Sequence, residues 1–159
     1  MTMGFILNGE DVVVKTKAEE RLVDILRNTF KLLGTKTGCN IGICGSCSVI
    51  LNGNVVKSCL IPAFKIQGCE IITIEGFSQT DEYQDILLGF SQTGIENCGF
   101  CNTGKILATQ ALLGRNHHPS RKAILSALYA VRCRCTEPEE QVLGVLAVTE
   151  CRRRRLNVS

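Results

Sequence analysis

Apolar positions follow two different rhythms along this chain. In the first half they come as short runs punctuated by Asn-Gly. Phe5-Ile6-Leu7 and Val12-Val13-Val14 flank Asn8-Gly9, and Ser48-Val49-Ile50-Leu51 and Val55-Val56 flank Asn52-Gly53. Asn-Gly tolerates the positive φ values of a two-residue hairpin turn, so residues 4–14 and 48–56 are predicted to be β-hairpins. Ile71-Ile72-Thr73-Ile74 supplies a further strand. Between the hairpins Leu22, Ile25, Leu26, Phe30 and Leu33 recur every three or four residues. That period predicts a helix over 19–33, stopped by Gly34 and covering one face of a small sheet.

Beyond Gly76-Phe-Ser-Gln-Thr80 the strand signal disappears and helical spacing takes over. Helices are predicted over 81–90, over 105–113 with Gly114 as the stop, over 119–131 after the loop Asn116–Ser120, and over 141–149. Thr136, with Glu139 three residues on, is the candidate capping box for the last of these. The fold class is therefore α+β, with a sheet-and-helix domain over 1–77 and an all-α four-helix domain over 78–159. Arg152-Arg153-Arg154-Arg155 follow the last predicted helix. They are expected to be a solvated tail, with contact to an acidic partner as the second reading.

The cysteines change the picture from fold to chemistry. Cys39, Cys44, Cys47 and Cys59 are spaced C-x4-C-x2-C-x11-C, with Gly38, Gly42 and Gly45 among them. This is the plant-type ligand spacing of a 2Fe-2S cluster, whose iron takes soft thiolate ligands. Glycines let the backbone curl closely around such a group and turn N–H groups toward its sulfurs. A Zn(Cys)4 knuckle is the alternative, although zinc sites commonly use two separated C-x2-C pairs. Cys98, Cys101, Cys133 and Cys135 form a second set, C-x2-C and C-x-C, separated by two helical segments. Spacing alone leaves this set open to iron-sulfur, zinc or a redox-active pair. Helix starts after both pairs would aim positive dipole ends at an anionic group, and Arg132 and Arg134 flank the final ligands.

Composition narrows the classes further. Ten cysteines in 159 residues could form a disulfide frame. Their clustering as close pairs suits metal ligands better, and no signal-like apolar run opens the chain, so a reducing cytoplasm is expected. No stretch approaches the roughly 18 apolar residues of a membrane span. The formal charge is +3. Two oxidised four-thiolate 2Fe-2S groups of about −2 each would bring it to about −1, so charge does not point to nucleic acid. Cys69 and Cys151 stand outside both sets; Cys69 is expected to be buried or half-buried and Cys151 exposed after the last helix. His117 and His118 lie in a loop and are not expected to bind metal. No glycine pattern opens a βαβ unit, so no nucleotide site is expected.

Cys39-Asn-Ile-Gly-Ile-Cys44-Gly-Ser-Cys47-Ser-Val with Ser58-Cys59-Leu60, then Asn97-Cys98-Gly-Phe-Cys101 and Cys133-Arg-Cys135-Thr136, resemble in order and spacing the small iron-sulfur subunit of molybdenum hydroxylases. That family includes xanthine dehydrogenase, aldehyde oxidoreductase and CO dehydrogenase-like enzymes. The likeness spans nearly the whole chain. It implies a plant-type ferredoxin-like (β-grasp) domain followed by a four-helix domain, two 2Fe-2S clusters held by the eight cysteines, and no catalytic residue in this chain. It also implies a large partner subunit holding molybdopterin and a medium subunit holding FAD. Electrons would run from molybdenum through the cluster of Cys98, Cys101, Cys133 and Cys135 to that of Cys39, Cys44, Cys47 and Cys59, and then to flavin. The competing reading is a two-cluster ferredoxin-like carrier or redox sensor for another partner.

The chain departs from the family pattern around the second set. Asn97 stands where the family has a glutamine that approaches the pterin, keeping the amide on a side chain one methylene shorter. Asn102-Thr103-Gly104-Lys105 replaces Thr-Pro-Gly-Met, and Thr136-Glu137-Pro138 replaces Thr-Gly-Tyr.

Overall fold

The structure is a computed structural model and describes residues 1–95, 102–133 and 135–158. Its first half is a mixed five-stranded sheet of order β2-β1-β5-β3-β4. β1 (Thr2–Leu7) and β2 (Glu10–Lys15) pair antiparallel from Thr2↔Lys15 to Leu7↔Glu10. Asn8 and Gly9 make the turn at φ 51° and 85°. β3 (Ser48–Leu51) and β4 (Asn54–Lys57) repeat the device, with Asn52 and Gly53 at 48° and 82°. β5 (Glu70–Ile72) joins the hairpins, parallel to β1 and antiparallel to β3. It ends one residue after Ile71 because Thr73 turns its N–H to Asn8 Oδ1 (2.8 Å) and opens α2 (Ile74–Phe77).

The period-two alternation of the strands serves two cores. Met3, Phe5, Leu7, Val49 and Ile71 face Leu22, Ile25 and Leu26. Ile50, with Val55 and Ile72, faces the opposite way and packs with Ile106, Leu107, Ile124, Val145 and Val148 of the helices. The sheet is therefore covered on both faces around β3, where Ser48, Val49 and Ile50 are all buried, while Ile6 and Val13 of the β1–β2 hairpin stay exposed.

The helix expected over 19–33 is much shorter. α1 is Leu22–Asp24, and the chain then widens over Ile25–Thr29. The Phe30 N–H reaches back five residues to the Ile25 carbonyl (3.3 Å), and Lys31 breaks away at φ 58°. Arg27 donates to the carbonyls of Leu33 and Thr35 (3.1 and 2.8 Å), so residues 33–35 become the stem of the cysteine loop rather than a last helical turn.

The second half contains α3 (Asp81–Gln92), α4 (Asn102–Arg115), α5 (Arg121–Leu128) and α6 (Pro138–Val158). Thr80 and Ser120 cap α3 and α5, accepting the N–H groups of Tyr83 and Ala123. Gly114 lies inside α4 and does not end it. Thr136 is not the cap of α6. Pro138 takes the first helical position, where its missing N–H costs nothing, and the Glu137 N–H donates to Glu140 Oε2 (3.0 Å). Glu139 pairs with Arg121 instead.

α6 also runs well past 149 and absorbs the arginine run, which is not a free tail. Three-residue spacing puts Arg152 and Arg155 on one face, where both reach Asp85 of α3 (3.5 and 2.9 Å). Arg153 and Arg154 face outward and pair with Glu150. Cys151 is correspondingly buried on this helix, not exposed, with its thiol toward Gln92 Oε1 (3.6 Å). Among the described residues no helix is long and apolar enough to cross a membrane.

Candidate metal centres

Sheet register performs the long-range step in assembling the first cysteine set. Ser48 pairs with Lys57, so Cys47 just before β3 comes opposite Ser58 and beside Cys59 just after β4. Ser58 fastens this junction, its N–H and hydroxyl both donating to the Cys47 carbonyl (3.2 and 2.6 Å). Cys47 and Cys59 are buried together against Val23. The other two thiols ride the loop before β3, where Asn40, Gly42 and Gly45 take φ values of 57°, 78° and 76°.

That left-handed curl turns backbone donors inward. The N–H groups of Ile41, Ile43 and Cys44 converge on Cys39 Sγ at 3.4, 3.2 and 3.3 Å, and the Cys39 N–H points at Cys44 Sγ (3.4 Å). The Ser46 hydroxyl lies 3.0 Å from Cys44 Sγ. Hydrogen bonds to the charged form favour it, and the Cys44, Ile41 and Ile43 N–H groups bring the Cys39 thiol down to about 6. Cys59 moves the other way, up to about 11, first through burial and then through its neighbour Cys47. At neutral pH the metal-free loop thus presents one ready thiolate and one thiol that needs a cation to ionise.

A titration follows from these two values. In the metal-free chain iodoacetamide should modify Cys39 well before Cys59, with a rate that climbs as pH passes about 6 and then flattens as the thiolate fraction saturates. Cys59 should remain protected over the same range. Peptide mass spectrometry of timed samples reads both; equal rates at the two sites would refute the N–H cage.

The four thiols meet as two pairs, Cys39 with Cys44 and Cys47 with Cys59, and Cys59 also feels the charge of Cys39. Among the described residues no group of three or more His, Cys, Asp or Glu side chains forms a single-ion site. Two adjoining pairs suit a two-iron group, and the sulfur-directed N–H groups favour the thiolates such a cluster needs, while Cys59 would ionise only as iron displaces its proton.

Of the second set, Cys133 and Cys135 occupy the loop between α5 and α6. Cys133 Sγ accepts the Cys135 N–H (3.3 Å) and lies 3.6 Å from Thr136 Oγ1. Cys98, Cys101, Asn97 and Arg134 lie outside the described residues. The described part of α4 opens at Asn102. The two cysteine loops press directly on each other. The Arg132 N–H donates to the Cys44 carbonyl (2.9 Å). A Cβ on Gly45 would lie 2.4 Å from the Ala130 carbonyl oxygen, and one on Gly104 would lie 2.6 Å from that of Gly45. Thr103 Oγ1 adds a bond to the Gly34 carbonyl (3.1 Å).

Two participants were not expected. Lys105 is buried (2% exposed) and its Nζ donates to Thr136 Oγ1 (2.8 Å). Thr136, expected as a cap, thus sits between that ammonium and Cys133. The available signal was a lysine heading the apolar run of α4. His117 and His118 line a cavity of about 480 Å³ with Arg152 and Arg153, and no cysteine is among its lining residues. Cys69 is half-buried, its thiol toward the Lys65 carbonyl (3.4 Å).

Comparison with known proteins agrees with this geometry. Residues 10–94 match the model of a 2Fe-2S iron-sulfur cluster binding domain, and residues 73–146 that of a [2Fe-2S] binding domain. The nicotinate dehydrogenase small FeS subunit of Eubacterium barkeri is 38% identical over 86% of this chain and 87% of its own length. The nicotine 6-hydroxylase small subunit of Paenarthrobacter nicotinovorans is 36% identical over 88% and 84%. A chain of quinoline 2-oxidoreductase from Pseudomonas putida 86 superposes with a TM-score of 0.85 at 34% identity, covering 97% of this chain and 96% of that one. A ferredoxin-like sheet region and an all-helical region, each matched by a 2Fe-2S domain model, make this chain a member of the small 2Fe-2S-binding electron-transfer subunits of the molybdenum hydroxylase family.

Proposed function

We propose that Cys39, Cys44, Cys47 and Cys59 ligate one 2Fe-2S cluster and Cys98, Cys101, Cys133 and Cys135 the other. In this reading the chain carries electrons from a molybdopterin-binding large subunit to an FAD-binding medium subunit in the cytoplasm. The bound clusters would supply reversible one-electron chemistry; bond making and breaking belong to the partners. The residues of this chain hold the two thiolate sets apart in the units 1–77 and 78–159 and keep a fixed connection between them.

The observation that carries the relay is the hydrogen bond from the Arg132 N–H to the Cys44 carbonyl (2.9 Å). Cys44 belongs to one set, and Arg132 is the covalent neighbour of Cys133 in the other. One hydrogen bond and a few backbone bonds thus join a ligand of each set, and no mobile side chain intervenes. Ile41, Ile43 and Leu60 leave an exposed apolar collar beside Cys39, the surface on which a flavin subunit would seat. Asn97, preceding Cys98, would offer its carboxamide to the pterin.

Anaerobic purification with the tagged chain tests this directly. Four irons per chain, two distinct electron paramagnetic resonance signals after dithionite, and copurifying molybdopterin and flavin subunits are expected. Cys59→Ala should remove one signal and Cys133→Ala the other. Zinc in place of iron, or loss of the same signal in both variants, would overturn the assignment.

A further inference from the structure

We propose that Lys105 is a positioning residue that raises the reduction potential of the second cluster through Thr136. This rests on the assignment of Cys133 as a ligand of that cluster. Lysine is almost never fully buried, yet Lys105 is 2% exposed. Its Nζ donates to Thr136 Oγ1 (2.8 Å), and Gln141 Nε2 donates to the same oxygen (3.0 Å) and to the Thr136 carbonyl (3.2 Å).

The direction of the last bond follows from counting. A threonine hydroxyl has two acceptor lone pairs and one proton to give. An ammonium and an amide NH2 can only donate, so between them they take both lone pairs. The hydroxyl proton is then left for Cys133 Sγ, 3.6 Å away. Lys105 fixes this polarity and also places a positive charge behind the bond, in a region of low dielectric. Reduction adds one negative charge to a cluster. A hydrogen bond to its ligand sulfur and a nearby cation both favour the more negative state, so both raise the potential. Gln141 helps to hold the hydroxyl in place.

The test is a redox titration of each cluster, followed by electron paramagnetic resonance in the assembled complex. Lys105→Met should lower the equilibrium constant for reducing the second cluster about tenfold, equivalent to about 59 mV for one electron, and leave the first cluster unchanged. Lys105→Gln, neutral but still able to donate to Thr136, should shift it in the same direction by less. A wild-type potential for that variant would overturn the role of charge. Thr136→Val should move the potential in the same direction, and Thr136→Ser should restore the wild-type value.

If Lys105→Met does not retain its cluster, Lys105→Gln and Thr136→Val decide, and unshifted potentials in both overturn the proposal. A wild-type chain showing fewer than two cluster signals would remove the ligand assignment and this inference together. Two intact signals with unmoved potentials would remove only the inference.

Discussion

Replacing Gly45 with alanine should cost about 2–5 kcal/mol of stability and most of the iron, although the change adds one methyl group. Two effects add at this position. Gly45 has φ +76°, where an L residue is strained by about 1–2 kcal/mol. The new Cβ would also lie 2.4 Å from the Ala130 carbonyl oxygen and 3.0 Å from Val131 Cα. Both obstacles are backbone, so relief requires the two cysteine loops to part. Parting them breaks the bond from Arg132 to Cys44 and shifts Cys133 relative to Cys44.

Gly53→Ala is the matched control. Gly53 has nearly the same backbone, φ +82°, but nothing stands within 4 Å of its added Cβ. It should lose only the conformational part and keep its full iron content. Thermal unfolding and iron analysis of the two variants side by side separate strain from packing. Equal behaviour would mean that the loop contact does not matter to assembly.

This contact also marks the limit of what the sequence made legible. The hairpins were readable because Asn8-Gly9 and Asn52-Gly53 need only local turn chemistry. The gathering of the first four thiols is legible because three of them are close in sequence and one hairpin brings Cys59 to Cys47. The α1 region is shorter than its genuine apolar period implies because Arg27 binds the carbonyls of Leu33 and Thr35 and draws the chain out of the helix. No periodicity reports such a side chain-to-backbone bond. The length of α6 was missed for a related reason. Four adjacent arginines look like a solvated tail until Asp85, distant in sequence, supplies a buried partner for Arg152 and Arg155. Lys105 is visible in the sequence as a departure from the family pattern and as a lysine heading an apolar run; its burial and its line to Cys133 depend on how α4 docks on the loop before α6.

Asp85→Ala should lower the melting temperature by about 6–12 °C, from a loss of about 3 kcal/mol or more spread over a chain of this size. The carboxylate is 7% exposed and accepts Arg155 Nε at both oxygens (3.1 and 2.9 Å), with Arg152 Nε at 3.5 Å. Arg152 is the reason the cost is large. Its side chain is 11% exposed, and burial pushes the guanidinium down from its ordinary value while Asp85 opposes that shift. Without Asp85 an arginine stays charged across the accessible pH range, so the buried cation would keep as hydrogen-bond acceptors the Glu82 carbonyl and Gln110 Oε1 (3.4 and 2.9 Å), with the Glu82 carboxylate as its remaining opposite charge. Arg155, 32% exposed, can turn to water or to Asp81 and Glu82, so Arg155→Ala should cost much less. The decisive comparison is the double variant Asp85→Ala with Arg152→Met. If the penalty comes from a stranded buried charge, removing that charge should recover much of the lost stability. If the two losses simply add, the ion pair is not what holds α6 on α3, and the close approach of Gly89 to Val148 would have to carry that contact.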